Sequence, residues 1–254
     1  MTIDPKPWDL PWSWMDAAAI KATRFTPSRS ALRTYERQLR SVAGHIRSIV
    51  GTSPDPSTMQ RLLREYSELL TPWANQSAVN MMIAVNRKNE QVWRSVAGKM
   101  GDQIRQQLKV AVDGASWQDL IRRNVNAIKN MPIETADKIA DIVSDAMVSG
   151  IRVDEVAAKI QAAGDIGESR ARMIAHTEVS KAGTVLTEMR AVSVGSEGYI
   201  WRTADDDARP SHAEMEGEFV NWTEPPTLDG MTGHAGEFPW CRCYPEPVIP
   251  GLLH

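Results

Sequence analysis

From Ser30 onward, Leu32, Tyr35, Leu39, Val42, Ile46 and Ile49 recur at spacings of three and four residues. That period matches the turn of an α-helix and lays an apolar stripe along one side, with Arg33, Arg37 and Arg40 on another. No segment before residue 195 shows the strict alternation of a half-buried strand. The first two-thirds of the chain is therefore expected to be all-α.

The breaks in this pattern divide it into elements. GTSPDPS at 51–57 interrupts the first helix, and Asp55-Pro56-Ser57 makes a good start for the second. Further helices are expected at about 57–70, 72–112 and 116–129, the longest interrupted near Gly98 and Gly101. Pro132 is expected to open the next helix and Gly150 to end it. Asp154 caps a short helix, and a long one follows Gly164 and Gly167 and stops at Gly195.

The character changes at 197. In EGYIWRTA, Tyr199 and Trp201 alternate with Ile200 and Arg202, a strand signature. ADDDARPSH is a turn, AEMEGEFVNW carries a short helix and a second strand, EPPTLDGMTGHAGEFP is a long Gly/Pro-rich loop, and WCRCYPEPVI is a last strand. The expected architecture is a mainly α-helical N-terminal two-thirds followed by a small C-terminal α+β domain of short antiparallel strands and long loops. Three parts are expected: an extended Trp/Pro-rich arm (1–30), a helical domain (31–132) and the α+β domain (133–254). The arm carries Trp8, Trp12 and Trp14, which dock either on a partner or on the chain's own body.

Charge separates the two ends. Residues 1–165 hold 22 Lys+Arg against 18 Asp+Glu, whereas residues 166–254 hold 7 against 14. Such asymmetry suits contact with two different partners, or two solvated faces. The excess in the first part is too small for a dedicated DNA-binding domain. No stretch has the roughly 20 apolar residues that span a bilayer, and MTIDPKPWDLPW lacks the basic and apolar regions of a signal peptide. Two cysteines make no disulfide framework, so a reducing cytoplasm is the expected place of synthesis.

Both cysteines stand in PWCRCY at 239–244. On a strand, Cys241 and Cys243 would point to one face. A bond between them would close a strained ring, and redox pairs are spaced CxxC. Two readings stay open: two buried thiols in a small core, or a metal clip. For the clip, His212 and His234 would complete a tetrahedral zinc set, with Asp205 to Asp207 as substitute ligands. A domain too small to close on apolar burial alone gains most from such a staple. The acidic run with His212 and Glu214 or Glu216 also allows a hydrolytic site, but no HExxH, GxSxG, P-loop or GxGxxG accompanies it.

The order RARMIAHTE (170–178), GYIWRTADDDARPSHAEMEGE (198–218), PP (225–226) and PWCRCYPEPV (239–248) resembles the C-terminal domain of the Mu F-like head morphogenesis family of tailed bacteriophages. The resemblance covers roughly residues 135–250 and places Arg170, Glu178, Trp201, Thr203, Asp205, Arg209, His212, Gly217, Cys241, Arg242 and Cys243 on the family's motif. His176, Met215 and Trp240 depart from the usual residues at their positions. The resemblance implies a minor head protein of the virion. It would be incorporated into the procapsid at or near the portal vertex, with portal, capsid or scaffolding proteins as partners, and would contact the packaged DNA or leave the head with it. Its mechanism would be adaptor-like binding and not turnover. A separate alternative, read from the residues, is a non-specific DNA-binding packaging factor acting through Arg33, Arg37 and Arg40, with binding driven by phosphates and blind to sequence. Some relatives are labelled ADP-ribosyltransferases; that alternative needs an NAD pocket and a catalytic glutamate, for which Glu178 is the motif's candidate, against an ion pair with Arg170, Arg172 or Lys181 at helical spacing.

Overall fold

The computed structural model describes residues 25–97, 114–203 and 208–250, apart from the side chain of Ile166. Among the described residues five long helices come first: α1 (Arg29–Thr52), α2 (Pro56–Leu69), α3 (Thr71–Ala97), α4 (Gly114–Ser149) and α5 (Val153–Ser193). Then follow β1 (Gly198–Arg202), the single-turn helix α6 (Pro210–Ala213), β2 (Phe219–Asn221), β3 (Thr227–Leu228), β4 (Met231–Thr232) and β5 (Tyr244–Pro247). The expected division into a helical part and a small C-terminal part with antiparallel strands is what the chain adopts.

The helix starts follow the capping chemistry. Ser28 accepts from the Ala31 amide at 3.3 Å, and Asp55 accepts from the Thr58 amide at 2.9 Å with Pro56 at the first helical position. The stripe on α1 is the buried one: Tyr35, Leu39, Val42 and Ile46 are sealed in a core that gathers side chains from all five helices, Ala31 through Leu186.

Two expected breaks are absent. Pro132 lies inside α4, a continuous helix of 36 residues, and is itself buried. A mid-helix proline removes one backbone donor and crowds the preceding turn, and here packing of α4 against α2, α3 and α5 outweighs that cost. Likewise α5 runs unbroken for 41 residues through Gly164 and Gly167. A Cβ on Gly167 would stand 3.2 Å from Ala43 Cβ, and one on Gly164 3.3 Å from Val50 Cβ. These glycines let antiparallel α1 and α5 approach closely; they do not end a helix.

A second core joins Phe25, the last turns of α3 (Val92, Trp93, Val96, Ala97) and Ala191 to the C-terminal unit. Phe25 packs edge-on to Trp93 with ring centroids 5.3 Å apart, so the chain just before α1 docks on its own body. Trp8, Trp12 and Trp14 lie outside the described residues. Helix α4 runs across residues 132 and 133, and the two cores meet near the end of α5.

The main sheet has the order β2-β1-β5, all antiparallel, with Tyr199 opposite Val220 and Trp201 opposite Pro245. The segment expected as one long loop contains the β3–β4 hairpin, closed by Asp229 and Gly230 at φ 52° and 76°. Asp-Gly is the favoured pair for a two-residue turn that needs both residues left-handed. The last strand is shorter than expected: it begins at Tyr244, so both cysteines sit in the turn before it.

Candidate metal centre

Three segments converge under β1. Helix α6 carries His212, and its entry residue Arg209 donates from Nη2 to the Pro239 carbonyl at 2.7 Å while standing 3.8 Å from Asp229. That contact ties α6 to the turn bearing the cysteines. The turn itself is shaped by Trp240 at φ 59° and by the Cys241 amide, which donates to the Phe238 carbonyl at 3.0 Å. It brings both sulfurs to one side without a strand.

His212, Cys241 and Cys243 are all buried, at 2%, 4% and 3% exposure. His212 Nδ1 stands 3.4 Å from Cys241 Sγ and 3.6 Å from Cys243 Sγ. A tetrahedral zinc with ordinary Zn–N and Zn–S bonds would separate N and S ligands by roughly 3.6 Å. The two N–S separations therefore suit such an ion, and all three ligand atoms lie within 4.8 Å of one another. Among the described residues, these three form the group able to hold a metal.

The thiols are unequal. Cys241 is pulled well below the usual thiol range, first by the Cys243 thiol donating to it, then by backbone N–H groups of Cys243 and Gly236 and by His212, against the cost of burial. Cys243 is pushed up by the same pairing and by burial. Backbone donors on a buried sulfur also suit a metal thiolate, whose residual charge they share. The His212 ring sits between aromatic neighbours, perpendicular to Trp201 at 5.6 Å and 4.8 Å from Phe238. Its Nε2 is buried with no partner among the described residues. Asp205 to Asp207, the nearby carboxylates in sequence, lie outside those residues.

His234 does not join this group. Its Nδ1 lies 3.2 Å from the Tyr199 hydroxyl, which also accepts from the Ala235 amide at 3.1 Å. Trp222 packs on the same ring, and the His234 amide donates to Glu237 at 2.9 Å. Burial lowers the His234 pKa, which favours the neutral ring. His234 thus belongs to an aromatic cluster in the second core, and a tetrahedral set would need a different fourth ligand.

The remaining motif residues hold the surrounding scaffold. Arg170 on α5 pairs with Glu134 on α4 at 2.6 Å. Trp201 is fully buried in β1. Thr203 donates from its hydroxyl to Glu216 at 2.8 Å, and Arg202 reaches both Glu216 and Glu246. Glu178 points into the helical bundle, where it accepts from Asn124 Nδ2 at 3.2 Å; Asn124 Oδ1 in turn accepts from the Tyr35 hydroxyl at 2.9 Å. Burial raises the Glu178 pKa, with Arg123 and Lys181 opposing. Arg33, Arg37 and Arg40 lie on the exposed side of α1, Arg40 at 3.7 Å from Glu36.

Sequence reasoning did not find Gly236, Tyr199 or Thr184, whose hydroxyl donates to the Ala235 carbonyl at 2.6 Å, as site builders. Gly236 was the most accessible of these: a glycine five residues before Cys241 in a turn-rich stretch. Tyr199 gave only the signal of a strand aromatic.

No helix among the described residues is long and apolar enough to cross a membrane. No solved structure matches the chain. An uncharacterized protein of Haemophilus influenzae is 35% identical over 127 residues, which is 50% of this chain and 28% of that protein. The chain thus spans well under half the length of this relative. Residues 137–245 match the family described as Phage Mu protein F like protein, a stretch that starts in α4, takes in α5 and ends in β5 after both cysteines. That segment, with its α4–α5 pair, its three-stranded sheet and its His-Cys-Cys group, is the part of the chain that is similar to the Phage Mu F-like family.

Proposed function

We propose that this protein is a phage minor head protein, built into the procapsid at or near the portal vertex by binding portal, capsid or scaffolding proteins. The observation that carries the reading is the family match over residues 137–245. It is supported by where the motif residues fall: Arg170, Trp201, Arg209, His212, Cys241 and Cys243 tie helix to helix, strand to turn and turn to turn. A residue set spent on holding a shape suits an adaptor that must present a fixed surface.

In this reading His212, Cys241 and Cys243 hold zinc. The ion would supply a cross-link between α6 and the cysteine turn and stabilise the smaller core. The protein's own residues do the rest: Arg209 fixes the turn, the backbone N–H groups of Cys243 and Gly236 share the charge of Cys241, and Trp201 and Phe238 keep water away.

The test is co-expression with the portal and major capsid proteins encoded in the same genome, followed by sedimentation of the assembled particles. Co-sedimentation of this chain with procapsids, lost when the portal protein is omitted, supports the reading. A chain that stays at the top of the gradient under all combinations contradicts it.

A further inference from the structure

The outer face of α1 is a line of arginines. Arg33, Arg37 and Arg40 recur at four and three residues, which puts them on one side of the helix over about 10 Å. Arg33 and Arg37 have no ion-pair partner among the described residues. Across the α1–α5 contact, Arg172 is exposed and reaches Glu36 at 3.4 Å, the same carboxylate that Arg40 approaches at 3.7 Å. One acid thus orients two guanidiniums and leaves most of their N–H donors to solvent.

This face continues onto the cysteine turn. His176 on α5 lies within electrostatic reach of Arg242, Glu36 and Arg172; burial and the two arginines lower its pKa against Glu36, which favours the neutral ring. Trp240 packs on that ring at 4.9 Å and 37°. The indole remains 40% exposed, although its backbone is held at φ 59° and its amide donates to Thr177 Oγ1 at 3.2 Å. A left-handed backbone at a bulky residue carries strain, and here it accompanies an indole held at the surface.

From this arrangement we infer that Arg33, Arg37, Arg40, Arg172, Arg242 and Trp240 form a binding site for single-stranded nucleic acid, with phosphates along the arginines and one base stacked on Trp240. Guanidiniums recognise phosphate oxygens through forked N–H donors, and an exposed indole offers its face to any unstacked base. A duplex keeps its bases stacked and gains only the phosphate contacts. An acidic protein surface likewise gains from the arginines, and competition by an acidic peptide separates it from a nucleic acid. The site deepens the head-protein reading and rests on it for the identity of the nucleic acid as phage DNA, not for the binding itself.

The experiment uses the full chain and fluorescence anisotropy with a labelled oligothymidylate of about 20 nucleotides, a duplex of the same length, and an oligoglutamate of equal charge as competitor, across a salt series. The single strand should bind more tightly than the duplex and should resist the oligoglutamate. Replacing Arg33, Arg37 and Arg40 together by Ala should weaken both nucleic acids and reduce the salt slope by about 2. Trp240→Ala should weaken the single strand about tenfold and leave duplex affinity and salt slope unchanged. Trp240→Phe should restore most of the loss, which separates stacking from damage to the neighbouring turn. Equal affinity for the two nucleic acids, or single-strand binding indifferent to Trp240→Ala, would overturn the inference. Displacement by oligoglutamate as effective as by oligothymidylate would overturn it in favour of an acidic protein partner. Any of these leaves the procapsid experiment to decide the head reading separately.

Discussion

Thr184 and Gly236 meet where the C-terminal unit lands on α5. The Thr184 hydroxyl donates to the Ala235 carbonyl at 2.6 Å, and a Cβ built on Gly236 would lie 2.6 Å from that same Oγ1 and 3.0 Å from the Cys243 carbonyl. Gly236 also stands at φ 92°, and its amide donates to the Cys241 sulfur. One glycine thus serves the docking contact, the turn and the thiolate together.

Replacing Gly236 with Ala should therefore be costly on two counts, the left-handed backbone and the collision with α5. The expected loss is about 2–4 kcal/mol in chemical denaturation. Thr184→Val, which removes only the hydroxyl, should cost about 1 kcal/mol. Equal stability of Gly236→Ala and wild type would contradict the close approach.

Arg190 is 3% exposed and survives there because Asn89 and Asn86 accept from its guanidinium, Asn86 at 2.8 Å, with Glu90 at 3.7 Å. Asn89 is fixed in turn by donating to Thr187 at 2.7 Å. Asn89→Ala should destabilise by about 2 kcal/mol, since it leaves the buried guanidinium with Asn86 and Glu90 but one acceptor short. Adding Arg190→Met to that variant should recover part of the loss, because the cost lies in a buried charge with fewer acceptors; calorimetry of the single and double variants gives the comparison.

Burial, reinforced by the Glu237 carboxylate, raises the Glu188 pKa to about 7. A folded-state pKa above the unfolded value favours the protonated native state. The contribution is complete below the ordinary glutamate pKa of about 4.3 and is lost as pH rises through about 7. Glu188→Gln should accordingly melt close to wild type at acid pH and above it at pH 8, by a few degrees at most because the side chain is half-buried and screened. Melting curves of the pair across that range read the difference directly. A variant less stable than wild type at pH 8 would contradict the assignment.

Much of this could be read from the residues alone, for identifiable reasons. The stripe from Leu32 to Ile49 became the buried face of α1 because period and burial are the same fact seen twice. Tyr199 and Trp201 alternate into the core from β1, and His212 finds both cysteines. Pro132, Gly164 and Gly167 misled because local rules treat them as stops, whereas α4 and α5 are fixed by neighbours far away in sequence, such as Ala43 and Val50. The Asp229-Gly230 turn was legible from its residue pair, yet the surrounding glycines and prolines hid it. His234 was an attractive ligand by composition and count. Only the fold shows that the Tyr199 hydroxyl, and not a sulfur, faces its Nδ1.

The central claim about the site is that His212, Cys241 and Cys243 close the C-terminal unit around zinc. The most direct test is the metal content of the full chain, purified without added zinc and measured by inductively coupled plasma mass spectrometry beside Cys241→Ser and His212→Ala. The account predicts about one zinc per wild-type chain, a large loss in both variants, and a lower melting temperature when chelator strips the wild type. Wild-type protein free of zinc, with a melting temperature indifferent to chelator, would contradict it and leave the two cysteines as packed thiols.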